Sequence, residues 1–173
     1  MQITDITFSR LVYTPIRDNL YELAEDLRVT VNMPAGKGYR FRLEKKFVTN
    51  LRSGTDLLNP IIPRHGNESR TISYILHDAN YTNHYFSKSF SDDLLKAMLT
   101  NADSETREQI KREKALPQTD KKYVEFLESQ LLGSMKIWAI WKAVCWFGKK
   151  AWNEPIVAPY EGNDRRFFME VIE

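Results

Sequence analysis

The residues best suited to chemistry lie in one short stretch, His77-Asp78-Ala79-Asn80-Tyr81. On a helix, residues three and four apart are neighbours, so His77, Asp78 and Tyr81 would project from adjoining faces. A histidine here can act as a general base, because its unperturbed pKa lies near neutrality. An aspartate here can hold a hard cation such as Ca²⁺ through its oxygen atoms.

A second acidic pair, Asp92 and Asp93, precedes the apolar run of the next predicted helix. If the two helices pack antiparallel, Asp92 can reach the imidazole of His77 and fix its tautomer. We therefore predict His77, Asp92 and Tyr81 as catalytic residues and Asp78 as a Ca²⁺ ligand. The alternative is a purely structural hydrogen-bond network, with both aspartates present only because the helix dipole favours acids in the first turn.

The other candidate residues carry weaker signals. His65 and His84 lack the spacing of metal ligands, so we predict surface or packing roles for them. Cys145, the only cysteine, lies among apolar residues and is predicted to be a buried small hydrophobe. No glycine-rich phosphate loop, nucleophile elbow or zinc motif is present in the sequence.

The elements that must position these residues fall into two parts. Alternating apolar and β-branched residues predict strands over residues 2–8, 20–31 and 39–48. The turn-forming segment 32–38 predicts a hairpin between the last two. In the second strand of this hairpin, Tyr39, Phe41 and Leu43 share one face while Arg40 and Arg42 share the other, which is typical of a half-buried antiparallel strand.

Helical signals follow a predicted loop at residues 50–70. Ser69 is predicted to cap the helix that carries His77, and Ser89 or Ser91 to cap the next. The charged segment 103–122 is interpreted as a solvated helix or connector without a specific role. Thr119 or Asp120 is predicted to open a long helix that ends before Pro155.

Tryptophan is concentrated in this last helix. Its positions Trp138, Trp141, Cys145 and Trp152 step by three, four and seven residues, and we interpret them as the central core against the other helices. The alternative is a face that binds a membrane surface or a partner helix. The predicted class is α+β, a small antiparallel sheet in the N-terminal third followed by three or four helices. One domain is predicted over 1–152, with an extended C-terminal tail over 153–173 that either docks as a strand or reaches a neighbouring chain.

Composition excludes several classes of function. The 173 residues include 25 Lys and Arg against 23 Asp and Glu, a net charge of +2 without a dense basic stripe, so nucleic acid is not expected as a partner. Lys136 and Lys142 interrupt the longest apolar stretch, which argues against a transmembrane segment. The N-terminus lacks a basic region followed by an apolar run, so no signal peptide is expected. A single cysteine suits a reducing compartment.

Three blocks of the sequence resemble a family of phages and prophages known as domain of unknown function 1353. The blocks are Phe47-Val-Thr-Asn, Ile75-Leu-His-Asp-Ala-Asn-Tyr81 followed by Ser91-Asp-Asp-Leu-Leu-Lys-Ala-Met98, and residues 140–152, which end in an aromatic-Gly-x-x-x-Trp pattern at Trp152. Asn50 stands where that family usually has Asp, and segment 103–122 looks inserted. The resemblance implies a phage origin, a location in the host cytoplasm or the virion, and other phage proteins as partners.

The His-Asp-x-x-Tyr helix is also similar to that of phospholipase A2 enzymes. That resemblance implies that His77 activates water, that Asp78 binds Ca²⁺, and that Tyr81 and Asp92 steady the imidazole. The chain lacks that family's cysteines beside the His-Asp pair and its glycine-rich calcium loop.

Three functional hypotheses remain. The leading one is an accessory structural or interaction protein of a phage, such as a tail, neck or head-associated component of the virion. The second is a Ca²⁺-assisted hydrolase of phospholipid or cell envelope with His77 as the base. The third is an inhibitor of a host protein made early in infection.

Overall fold

A computed structural model describes residues 2–17, 20–51, 67–153 and 162–172 of the chain. These ranges hold seven strands, β1 (Asp5–Phe8), β2 (Tyr13–Arg17), β3 (Leu20–Leu23), β4 (Leu27–Asn32), β5 (Gly38–Leu43), β6 (Val48–Thr49) and β7 (Phe167–Ile172). They also hold four helices, α1 (Glu68–Asn83), α2 (Lys88–Lys114), α3 (Lys121–Ser129) and α4 (Gly133–Asn153). The predicted α+β class is confirmed.

The larger sheet is antiparallel, with the strand order β1-β4-β5-β7. The predicted hairpin is its centre, since β4 and β5 pair from Leu27 opposite Leu43 to Asn32 opposite Gly38. A side chain at Gly38 would lie 2.3 Å from the carbonyl oxygen of Val31, so only glycine fits this close pairing. Along β5 the predicted alternation is confirmed, because Phe41 and Leu43 are buried while Arg40 and Arg42 are exposed.

The predicted strand over 20–31 is wrong, because the structure has two strands there in different sheets. β3 belongs to a second sheet with the order β2-β3-β6, and β4 begins only after a bend at Ala24 and Glu25, which Asp26 follows. The Asp26 carboxylate accepts a hydrogen bond from the backbone amide of Lys45 at 2.9 Å, which stabilises the bend. The predicted strand over 39–48 is divided in the same way, since β5 ends at Leu43 and β6 lies in the second sheet.

The C-terminal segment predicted as an extended tail contains β7. This strand pairs antiparallel with β5 along its whole length, from Phe167 opposite Leu43 to Ile172 opposite Gly38. Phe167 is fully buried, and its ring stacks on that of Phe41 with a centroid separation of 5.8 Å. Residues 167–172 therefore complete the larger sheet.

The helix caps differ in part from those predicted. Asn67 rather than Ser69 caps α1, with its side-chain oxygen accepting from the Arg70 amide. Ser87 rather than Ser89 or Ser91 caps α2 and accepts from the Phe90 amide. The predicted cap Asp120 is confirmed for α3. Of the predicted loop 50–70, residues 52–66 lie outside the described residues, and its last residues begin α1.

Of the two alternatives predicted for the charged segment 103–122, the helix is confirmed as far as Lys114, but the segment has a structural role because α2 buries Asp103. One carboxylate oxygen of Asp103 accepts from the backbone amides of Leu132 and Gly133, at 2.8 and 3.2 Å. These amides mark a break between α3 and α4, where Gly133 has a φ of +72°. The single long helix predicted from Asp120 is therefore two helices.

The core forms on both sides of a middle layer made by α1 and α2. On one side these helices pack against the larger sheet, burying residues such as Phe41, Ile75 and Met98. On the other side they pack against α4, and this second cluster includes Tyr74, Leu95, Leu99, Ile137, Ile140 and Val144. Residues on α1 and α2 are therefore covered from two directions.

The prediction that the tryptophan positions of the last helix form the core is wrong for part of that set. The buried stripe of α4 is Ile137, Ile140, Ala143 and Val144. Trp138 is 50% exposed and Trp146 is 66% exposed, while Trp141 and Trp152 are partly buried. Across the described ranges, no helix has both the length and the apolar character needed to cross a membrane.

Candidate functional site: a buried cluster around Asp92

The two helices that carry the candidate residues form an antiparallel pair. Four residues connect the end of α1 to the start of α2. His77 contacts Asp92 near this connection, whereas Ser69 contacts Glu105 further from it, so the helices run in opposite directions. The predicted meeting of the imidazole with the carboxylate of the neighbouring helix is confirmed.

Asp92 lies at the centre of the site and is 1% exposed. One of its oxygens, Oδ1, is 3.0 Å from His77 Nε2 and accepts from the Tyr81 hydroxyl at 2.7 Å. The other, Oδ2, accepts from Lys88 Nζ at 2.6 Å. Three donors therefore share this single buried carboxylate, which we call the Asp92 cluster together with His77, Tyr81 and Lys88.

Lys88 is the member of the cluster that the sequence analysis missed. Its ammonium group also donates to the backbone carbonyls of Val144 at 2.9 Å and Cys145 at 3.3 Å, both on α4. The cluster therefore links α1, α2 and α4. The spacing of four residues between Lys88 and Asp92 on one helix was the available signal, because such pairs lie on the same face.

The Tyr81 ring is held between the cluster and α4. It lies 4.2 Å from the His77 ring and meets the Trp152 ring edge-on at 5.0 Å. A side chain at Gly148 would lie 2.5 Å from the Tyr81 hydroxyl, so glycine permits α4 to approach this closely. The aromatic-Gly-x-x-x-Trp segment singled out in the sequence thus packs against the predicted site.

Burial and charge shift the pKa values of the cluster in opposite directions. Burial lowers the pKa of His77, but the negative charge of Asp78 and the hydrogen bond and charge of Asp92 outweigh it and raise the pKa above 6.5. Burial raises the pKa of Asp92, but hydrogen bonds from His77, Lys88 and Tyr81 outweigh it and lower the pKa. Burial and the bond to Asp92 both raise the pKa of Tyr81. The arrangement favours an imidazolium and a carboxylate held together.

This shift predicts that His77 stabilises the protein most under mildly acidic conditions. Because its folded pKa is raised, its contribution is full below the unfolded value of about 6.5 and is lost as pH rises through the folded value. We expect the difference in unfolding free energy between wild type and His77→Gln to shrink as pH rises from about 6 to about 9. Urea denaturation at each pH measures it, and a difference independent of pH would contradict the prediction.

The predicted metal ligand, Asp78, lies at the edge of the cluster. Its side chain is 32% exposed, and one carboxylate oxygen is 3.9 Å from His77 Nδ1, too long for a hydrogen bond but close enough for charge attraction. Ca²⁺ requires six to eight oxygen ligands. Among the described residues there is no group of three or more His, Cys, Asp or Glu side chains able to hold a metal.

The remaining candidates are separate from the cluster or outside the described residues. His84 is exposed, adopts a left-handed conformation at the end of α1, and stacks on Trp152 at 4.2 Å. Cys145 is partly rather than fully buried, which corrects the prediction, and burial raises its pKa. His65 lies outside the described residues. A cavity of about 300 Å³ lined by Glu68, Glu105 and Tyr123 contains no member of the Asp92 cluster.

The chain is thus an α+β protein in which His77, Tyr81 and Lys88 surround the buried carboxylate of Asp92 between three helices. Neither a protein-family model, nor a curated protein, nor a solved structure matches the chain.

Proposed function

We propose that the chain is an accessory structural or interaction protein in which the Asp92 cluster holds three helices together. The observation that carries this proposal is that both oxygens of Asp92 are bound by internal donors, while His77 is only 4% exposed. A catalytic site needs reacting atoms that a substrate can reach. A closed cluster whose carboxylate is satisfied by its own neighbours instead supports a role in stability.

The phage setting of this proposal is supported by the three sequence blocks that resemble the phage family. One of those blocks contains His77 and Tyr81 and continues to Asp92, and the last contains Gly148 and Trp152, which pack against Tyr81. In this setting the chain would reside in the host cytoplasm or the virion and would bind other phage proteins.

The experiment is to purify phage particles on a density gradient and measure the chain by quantitative peptide mass spectrometry. We expect the chain to copurify with the particles at a constant ratio to the major capsid protein. Its absence from purified particles would exclude a virion component.

A second candidate function, hydrolysis with His77 as the base, is favoured by one specific observation. His77 Nδ1 and the side-chain amide of Asn80, three residues further along α1, are buried and have no hydrogen-bond partner among the described residues. Buried polar atoms without partners are costly, so they mark places where a water or a polar ligand group can bind. Nδ1 would accept a proton from an attacking water, and Asp92 would stabilise the imidazolium through Nε2.

Incubation with phospholipid vesicles and Ca²⁺ separates the two candidates. The structural proposal predicts no released fatty acid from wild type or from His77→Gln. The hydrolase predicts release by wild type that is lost in His77→Gln and that rises with pH as His77 loses its proton. Far-ultraviolet circular dichroism on both proteins confirms that the variant is folded.

A further inference from the structure

The exposed side of α4 carries a second helical stripe that is distinct from its buried one. Met135, Trp138, Lys142, Trp146 and Lys149 recur at three and four residues and therefore share one side of the helix, which we call the Trp–Lys face. Met135 is 81% exposed, Trp146 is 66% exposed and Trp138 is 50% exposed. The core stripe of Ile137, Ile140 and Val144 has the same spacing but a different direction.

The charged side chains of α4 are all positive. The helix contains four lysines, at positions 136, 142, 149 and 150, and no Asp or Glu. Lys142 lies among indole rings, with its ammonium 4.6 Å from the Trp141 centroid, 5.9 Å from Trp138 and 5.7 Å from Trp146. The face therefore presents half-exposed aromatic rings and cations side by side.

Trp141 does not belong to this outward set, because α2 holds it. Its indole Nε1 donates to Asp93 at 3.1 Å, and Lys96 lies 4.0 Å above its ring. Trp138 and Trp146 are therefore the indoles that the fold leaves on the outer surface of the helix.

We infer that the Trp–Lys face of α4 binds an anionic lipid surface, lying in the plane of the headgroups. Tryptophan favours the boundary between headgroups and acyl chains because its ring is apolar and its N–H is polar. Lysines beside it are attracted to anionic headgroups. This role requires no turnover, so it stands independently of either function proposed above.

The charge of the face argues for lipid over a second copy of the chain. A symmetric dimer through α4 would place lysine against lysine, and such like-charge contacts are unfavourable. An anionic membrane supplies the opposite charge and an apolar layer at once. The exposed residues need no rearrangement to reach it, since they project from a helix that the core stripe already anchors.

The test uses the full chain and vesicles of phosphatidylcholine, with or without about 30% phosphatidylglycerol. All four tryptophans of the chain lie in α4, so a blue shift of the intrinsic fluorescence reports on this helix alone. We expect a blue shift and cosedimentation with the anionic vesicles, at least about tenfold weaker binding to the neutral ones, and loss of binding at high salt.

Two pairs of substitutions test the two parts of the face. The double substitution Trp138→Ser with Trp146→Ser is expected to weaken vesicle binding at least about tenfold. The double substitution Lys142→Gln with Lys149→Gln is expected to weaken vesicle binding about fivefold or more for each charge removed. Phe168→Ala is the matched control, because Phe168 is a 41% exposed aromatic residue on β7, and it should leave binding unchanged.

Equal binding to anionic and neutral vesicles, or no binding to either, would overturn the inference. Self-association in the absence of lipid, measured by sedimentation velocity, would also overturn it if Trp138→Ser with Trp146→Ser abolished that self-association. The face would then bind a second copy of the chain. If the tryptophan pair fails to fold, the lysine pair and the lipid comparison still decide the question.

Discussion

Asp92→Asn is expected to lower the free energy of unfolding by about 3–5 kcal/mol, because it removes one partner from a buried ionic cluster. The substitution keeps the size of the side chain but removes its charge. Lys88, a cation, and His77, a cation when it is protonated, both donate to Asp92, and both would lose their counter-charge. The amide nitrogen of Asn would also face one of these donors instead of accepting from it. Urea denaturation near neutral pH measures the loss.

Asp93→Asn is the matched control for this prediction. Asp93 is the next residue on the same helix, and the substitution makes the same chemical change. Its side chain is exposed and accepts a hydrogen bond from the Trp141 indole. We expect a loss of less than about 1 kcal/mol. Similar losses for Asp92→Asn and Asp93→Asn would mean that the cluster contributes no more than an exposed side chain does.

Lys88→Met is expected to have the second largest effect, a loss of about 3 kcal/mol. Methionine can occupy the space of the lysine stem, but it cannot donate to Asp92 or to the carbonyl oxygens of Val144 and Cys145. Oδ2 of Asp92 then loses its donor in a partly buried site, which costs more than a lost surface ion pair. Because the lysine also joins α2 to α4, we expect faster amide hydrogen exchange in α4, measured by mass spectrometry.

Lys111→Met provides the comparison for Lys88→Met, since Lys111 lies on the same helix and forms an ion pair with Glu108 at the surface. We expect a much smaller change in stability and no change of exchange in α4. Equal exchange in α4 for wild type and Lys88→Met would contradict the proposed link between the helices.

The pairing of His77 with Asp92 could be predicted from the sequence because it depends on local rules. His77 lies near the end of one helix and Asp92 near the start of the next, and a short connection makes such helices antiparallel neighbours. Residues close to the turn then meet, whatever the rest of the fold does. The pattern of β5, with aromatic residues alternating with arginines, was equally local and equally reliable.

Which side of α4 faces the core could not be predicted in this way. The stripe through Ile137, Ile140 and Val144 and the stripe through Trp138, Trp141 and Cys145 have the same spacing and differ by one residue, so periodicity does not choose between them. The buried side depends on the helices that α4 packs against. Ile137, Ile140, Ala143 and Val144 pack toward α1 and α2, while the indoles of Trp138 and Trp146 remain exposed. Lys88 was missed for a related reason, since its carbonyl partners are more than fifty residues away.

The division of residues 20–31 into two strands shows a different limit. The segment has β-forming residues at Tyr21 and at 29–31, and between them Asp26 accepts a hydrogen bond from the distant Lys45 amide where the chain bends. The larger sheet is also completed by β7 from the far end of the chain. Contacts that join distant segments leave little trace in local sequence patterns.

A double-mutant cycle on His77→Gln and Asp92→Asn at about pH 6 tests most directly whether the cluster acts as one structural unit. Because the imidazole and the carboxylate stabilise each other, removal of the second partner should cost less than its removal from wild type, with a coupling energy of about 1–3 kcal/mol. Losses that add to within about 0.5 kcal/mol would show that the two side chains do not depend on each other, and the assignment of the cluster as the link between the helices would be wrong.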